Sequence, residues 1–294
     1  MKKITGAITA LTTPFKKDGS IDIESLKSLV KFQLREGIDG IVPCGSTGEA
    51  ATLNDEEYQL VVKTVVEQVN GRVPVIAGAG SNDTLKAVHF SLLSKKMGAD
   101  ALLHVTPYYN KPTVNGLIEH YKAIAKAVDM PIVLYNVPGR TGLNATADTT
   151  LKIAKNVPQV IAVKEASGNL TQMMEIVKKA PSHFSVLSGD DILTLPLISV
   201  GGHGCISVVS NEVPKSFSQL IAYALNGDFK KAKQMHYKLL DLMNVNFIET
   251  NPLPVKAALS LMGKIEEVFR LPLVPMEEKN KLVLKDVLRD LDLI

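Results

Sequence analysis

Val160-Ile161-Ala162-Val163-Lys164-Glu165-Ala166 reads as a strand with no wet face. Its first four residues are apolar on both alternating positions, as in parallel strands covered by helices on either side. The same pattern recurs at 7–12, 40–44, 73–77, 101–105, 131–136, 185–187 and 205–209, which makes eight such runs. Between them the periodicity changes to that of a helix. Leu26, Leu29, Val30 and Leu34 form one apolar stripe, and Leu60, Val61, Val65 and Val69 another.

Punctuation agrees with this division. Asn54 opens an Asn-Asp-Glu-Glu run, Ser81-Asn82-Asp83 precedes Leu85, and Thr146-Ala147-Asp148 precedes Leu151, all helix-start signals. Gly37 and Gly98 follow helical patterns as stop signals. Eight β-α alternations predict an α/β chain folded as a (β/α)₈ TIM barrel. A doubly wound open sheet is the alternative, but no G-x-G-x-x-G follows the first strand. After Val209 helical patterns continue at 217–225, 229–243, 254–262 and 278–291, more than one closing helix requires. The division expected is a catalytic barrel over 1–224 and a C-terminal helical appendage over 225–294.

Composition excludes several classes of function. A net charge of +3 is too mild for a nucleic-acid partner, and no basic run is interleaved with aromatics. No apolar run approaches the roughly 18 residues of a membrane span, and the first residues lack the apolar core of a signal peptide. Cys44 and Cys205 sit in apolar runs outside any C-x-x-C pair; they read as reduced, packed thiols of a cytoplasmic protein, although a disulfide is possible. The six histidines show no H-x-H or H-E-x-x-H spacing, so no metal is expected, and no Walker A sequence or other cofactor motif occurs. Asp190-Asp191 suits a cation or a helix cap, and His203 a local structural role.

Barrel enzymes gather their chemistry at the C-terminal ends of the strands. Lys164 ends an apolar strand there. Taking an ammonium out of water favours its neutral form, and a neutral amine is the nucleophile that carbonyl chemistry needs. The competing reading is a lysine that merely pairs with a carboxylate. Gly45-Ser46-Thr47-Gly48 offers hydroxyls and backbone N–H groups that could cradle a carboxylate, or it is an ordinary turn. Tyr135 is either a proton-transfer group or core; Arg140 either grips a carboxylate or is solvated.

Taken together, Gly45-Ser46-Thr47-Gly48-Glu49, Tyr135-Asn136-Val137-Pro138-Gly139-Arg140-Thr141-Gly142 and Val163-Lys164-Glu165 resemble the N-acetylneuraminate lyase and dihydrodipicolinate synthase superfamily. The likeness runs from about Thr5 to the C-terminus. Arg140 and Pro107-Tyr108-Tyr109-Asn110 resemble the dihydrodipicolinate synthase branch. The resemblance implies a homotetrameric, cofactor-free enzyme condensing pyruvate with L-aspartate 4-semialdehyde in the diaminopimelate route to lysine. The alternative is a sister aldolase cleaving sialic acid or a 2-keto-3-deoxy sugar acid. It further implies that Lys164 forms an imine with pyruvate, Tyr135 shuttles protons, and Ser46, where most members carry threonine, relays them to Tyr109 of a neighbouring subunit. Thr47 would hold the pyruvate carboxylate, Arg140 the carboxylate of the second substrate, and Gly189 and Ile206 would line the pocket. Where lysine-sensitive members bind lysine, this chain has Ala50, Asp55, Tyr58, Asn82, Lys86 and Tyr108. Lys86 replaces a glutamate that would hold the ligand's ammonium, so weak or absent lysine inhibition is expected.

Overall fold

The computed structural model describes residues 3–294. Among the described residues there are eight strands: β1 (Gly6–Ala10), β2 (Gly40–Val42), β3 (Ile76–Gly78), β4 (Ala101–Val105), β5 (Ile132–Asn136), β6 (Val160–Glu165), β7 (Ser185–Ser188) and β8 (Gly204–Ser207). They run parallel in the order β2-β1-β8-β7-β6-β5-β4-β3. A parallel bridge between Ile41 and Val75, with Gly78 N donating to Pro43 O at 3.0 Å, joins the two ends into a barrel.

The helices between the strands are α1 (Ile23–Arg35), α2 (Asp55–Val69), α3 (Thr84–Lys96), α4 (Val114–Val128), α5 (Pro138–Thr141), α6 (Ala147–Asn156), α7 (Leu170–Lys179) and α8 (Thr194–Ser199). Then come α9 (Pro214–Leu225), α10 (Phe229–Val245), α11 (Leu253–Leu261) and α12 (Glu278–Asp290). Asn54 accepts from Glu57 N while Glu57 accepts from Asn54 N, a reciprocal cap that fixes the start of α2. Asp83 and Thr146 cap α3 and α6 by a single bond each, accepting from Leu85 N and Thr149 N. Gly37 and Gly98 take φ of +84° and +87°, which lets the chain leave α1 and α3 without a Cβ clash.

The core has two layers. Ile8, Val42, Ile76, Leu103, Val133, Leu187 and Ile206 fill the barrel interior. A second cluster packs the outer strand faces against the helices and continues without a break into Leu239, Leu242, Val255, Leu259 and Leu284 of the C-terminal helices. Those helices therefore share the core of the barrel.

The last strand is shorter than its apolar run suggests. It ends at Ser207, and Val209–Asn211 forms a 3₁₀ turn. The buried Asp191 carboxylate accepts from Val208 N at 3.1 Å and Val209 N at 2.9 Å, drawing the backbone out of the ladder. Asp191 thus does not cap the helix that follows it, since the N-cap of α8 is Leu193, with no side-chain cap; it holds the start of the 3₁₀ turn from across the chain. His203 Nδ1 likewise accepts from Val186 N. Cys44 and Cys205 are both free and buried.

Candidate active site

Successive residues on a strand face opposite sides, and this separates Lys164 from Glu165. Glu165 lies among polar groups between β6 and the helices, where it accepts from Asn136 Nδ2 (3.0 and 3.1 Å), Gln172 Nε2 (3.0 Å) and Ser167 N (2.8 Å). Lys164 lines cavities inside the barrel mouth and is 4% exposed. It has no ion pair among the described residues; the adjacent carboxylate is fully engaged elsewhere. Its amine lies 4.3 Å from the ring centroid of Tyr135. Register explains the pairing, since Tyr135 and Lys164 are direct partners across β5 and β6 and share one face.

Gly189 follows β7, whose Leu187 is the other register neighbour of Lys164. A Cβ built at 189 would stand 3.0 Å from Lys164 Cε and 2.7 Å from Ala166 Cβ. Only glycine leaves the lysine stem its present path.

After β2 the chain turns tightly through Gly45 to Glu49. Gly48 N and Ala50 N both donate to Gly45 O, and Thr13 Oγ1 donates to Gly48 O at 2.7 Å. A Cβ at Gly48 would approach Leu11 O to 3.0 Å. Glu49 has φ +52°, and its buried carboxylate pairs with the ammonium of Lys256 on α11. Phe15 and Phe269 flank that ammonium, with ring centroids at 4.4 and 4.9 Å. Burial pushes the Lys256 pKa down, while Glu49 pulls against that shift. The turn is thereby bolted to the C-terminal helices.

It presents Ser46 and Thr47 to the barrel mouth. A cavity of about 240 Å³ is lined by Ser46, Thr47, Tyr135, Arg140, Lys164, Gly189 and Asn251, among others. Thr47 is 2% exposed, and its Oγ1 accepts from Asn251 Nδ2 at 3.0 Å. Arg140, on the short α5, donates from Nη2 to the carbonyl of Asn251 at 2.9 Å. A second, wider cavity of about 370 Å³ shares Ser46, Tyr135, Arg140 and Lys164, and extends past Ala50, Tyr58, Asn82, Lys86 and Tyr108.

The structure brings together six of the eight residues singled out in the sequence: Lys164, Tyr135, Ser46, Thr47, Arg140 and Gly189. Ile206 is wholly buried in the interior cluster that also holds Tyr135, and it does not line either cavity. Tyr109 is 90% exposed with φ +72°, and it too lies outside both cavities. Two functional candidates carried no local signal. Asn251 arrives from the loop after α10, and Lys256 from α11, each more than 200 residues from its partner. Among the described residues no group of His, Cys, Asp and Glu side chains could hold a metal ion, and no helix is long and apolar enough to cross a membrane.

The arrangement sets an amine beside a phenol, with the hydroxyls of Ser46 and Thr47 and the guanidinium of Arg140 lining the same cavity. Comparison with known proteins agrees with the resemblance seen in the sequence. A model of the dihydrodipicolinate synthetase family matches residues 3–291. The 4-hydroxy-tetrahydrodipicolinate synthase of Maridesulfovibrio salexigens is 55% identical over 98% of this chain and 99% of its own. That of Prosthecochloris aestuarii is 50% identical over 99% and 98%. The crystal structure of dihydrodipicolinate synthase from Aquifex aeolicus superposes with a TM-score of 0.96 at 47% identity, covering 99% of both chains. With a closed eight-stranded barrel, a lysine at the end of β6 and relatives at half identity along its whole length, the chain belongs to the dihydrodipicolinate synthetase family.

Proposed function

We infer that this protein is a lyase that condenses pyruvate with L-aspartate 4-semialdehyde to 4-hydroxy-tetrahydrodipicolinate, in the diaminopimelate route to lysine. The observation that carries the reading is Lys164: buried, free of any carboxylate, and open to a cavity shared with Thr47 and Arg140. Attack of its amine on the keto carbon of pyruvate, with loss of water, gives an imine. The iminium withdraws electrons, so a methyl proton of pyruvate can leave, and the resulting enamine attacks the aldehyde carbon. Attack on the imine carbon by the amine of the second substrate then closes the ring and releases Lys164.

Each neighbour has a role that its position supports. Tyr135 stands over the amine and moves protons as the carbinolamine forms and collapses. Ser46, at the cavity mouth, relays them; a serine lacks the β-branch that would hold its χ1. Thr47 binds the pyruvate carboxylate. Arg140 spends one guanidinium nitrogen on Asn251, and its other nitrogens have no partner among the described residues, which suits it to the carboxylate of the incoming aldehyde. Tyr109 is 90% exposed and lines neither cavity of its own barrel, which fits a residue that completes the site of a second subunit in a homotetramer. The enzyme works in the cytoplasm and draws its electron sink from the imine itself, with no cofactor.

Turnover assays with the candidate substrates test the reading. Activity with pyruvate and L-aspartate 4-semialdehyde is expected. Cleavage of sialic acid or a 2-keto-3-deoxy sugar acid, with no condensation of the first pair, would replace it with the sister aldolase.

A further inference from the structure

We propose that Asn251 is a positioning residue that sets the direction of the Thr47 hydroxyl and ties it to Arg140. The proposal rests on the reading of Lys164, Thr47 and Arg140 given above.

A threonine hydroxyl has one proton to donate and lone pairs to accept with. Asn251 Nδ2 occupies an acceptor position on Thr47 Oγ1 at 3.0 Å. Thr47 has no other side-chain partner among the described residues, so its proton is left free on the cavity side. A carboxylate accepts and cannot donate. A hydroxyl whose donor capacity is reserved is therefore already in the state that pyruvate requires. The reverse orientation of the amide would make Thr47 donate to Asn251 and leave the whole amino group buried without a partner. The orientation present leaves only Oδ1 unpartnered, the cheaper omission.

The same residue acts on the other side of the site through its backbone. Its carbonyl accepts from Arg140 Nη2 at 2.9 Å. Asn251 is 5% exposed and lies in the loop between α10 and α11, so it is held by the C-terminal helices. One buried residue thus touches both groups assigned to substrate carboxylates. Replacing its side chain removes the contact to Thr47 and keeps the carbonyl for Arg140.

This asymmetry gives the test. Wild-type enzyme is first shown to turn over both substrates and to be trapped at Lys164 by borohydride with pyruvate; failure there removes the underlying reading and says nothing about Asn251. In Asn251→Leu, which keeps the volume and loses the donor, kcat/KM for pyruvate should fall about tenfold or more, while KM for the aldehyde changes less than about threefold. In a Thr47→Val background the same replacement should add less than about a twofold loss, because the group it acts through is gone. The pyruvate concentration giving half-maximal borohydride inactivation reads the same coupling where turnover is too slow. Asn251→Ala supplies the three quantities if the leucine variant does not fold. Unchanged pyruvate kinetics, an equal rise in both KM values, or a full additive penalty on top of Thr47→Val would each overturn the proposal.

Discussion

Lys164 and Glu165 are neighbours in the chain with opposite charges, and strand geometry keeps them from neutralising each other. Asn136 and Gln172 hold the glutamate on the helix side, leaving the lysine as the site's amine. Arg140 is the next residue to probe. Its alanine variant should raise KM for the aldehyde, with a loss of about 1.5–3 kcal/mol for a charged hydrogen bond, and still form the pyruvate imine. Steady-state kinetics alongside borohydride trapping checks both halves, and an unchanged aldehyde KM would count against the assignment.

A second pair of residues governs stability rather than chemistry. His104 is fully buried, with Nε2 on Ser91 Oγ at 3.1 Å, and burial together with the nearby His120 lowers its pKa to about 3. Burial lowers His120 to about 4, against the opposing pull of Asp83. Both rings stay neutral in the folded protein where an unfolded histidine, with pKa about 6.5, would take a proton. The unfolded state then binds more protons, so stability is complete above about pH 6.5 and declines as pH falls toward about 4, by up to about 1.4 kcal/mol per pH unit for each ring. Urea titrations across that range should show the slope, and His104→Gln should flatten it; an identical slope in the variant would contradict the attribution. At this scale the lysine was legible because a charge in an apolar strand is an anomaly in one dimension. Asn251 was not: its partner Thr47 lies 204 positions away, and an asparagine in a loop resembles any other.

The strands and their caps were legible because each rests on a local rule, alternation or a side chain reaching its own helix start. The ends of β8 and the placement of the Gly45–Glu49 turn depend on distant groups. Asp191 shortens the strand, and Lys256 anchors the turn. The Lys256–Glu49 pair makes the turn a point of vulnerability. Neither side chain is exposed, so Lys256→Met leaves a buried carboxylate without its cation and should cost about 3–5 kcal/mol. Glu49→Gln combined with Lys256→Met should recover much of that loss, because the uncompensated charge is gone. Thermal or urea denaturation of the single and double variants measures the difference. A single variant as stable as the parent would mean that the pair does not hold the turn.

On the whole molecule, the loops after β3 and β4, joined by Asn82 Nδ2 donating to Tyr108 O, lead to exposed apolar and aromatic side chains: Leu85 is 80% exposed, Tyr108 40% and Tyr109 90%. Exposed aromatics such as these two tyrosines favour an interface. Sedimentation should give at least a dimer and, by family likeness, a tetramer, with Tyr109→Phe slowing turnover; a fully active monomer would refute a shared site. Ala50, Tyr58, Asn82, Lys86 and Tyr108, which stand where lysine-sensitive relatives are expected to bind lysine, line the wider cavity near these loops. Asp55 is already paired with His89 at 2.6 Å, and Tyr58 is held by Gly78 O and Ser94, so neither is free to replace the missing glutamate. Lys86 adds a repelling charge. Initial rates in millimolar L-lysine should therefore be nearly unchanged, and strong inhibition would show that another group in the pocket receives the ammonium.

The proposed chemistry requires that Lys164 become covalently bound to pyruvate. Borohydride reduction of the protein with pyruvate, followed by peptide mass mapping, tests it most directly. One reduced pyruvyl adduct is expected, on Lys164, with loss of activity and no adduct in a folded Lys164→Ala variant. Labelling at another lysine, or an alanine variant that retains full turnover, would contradict it.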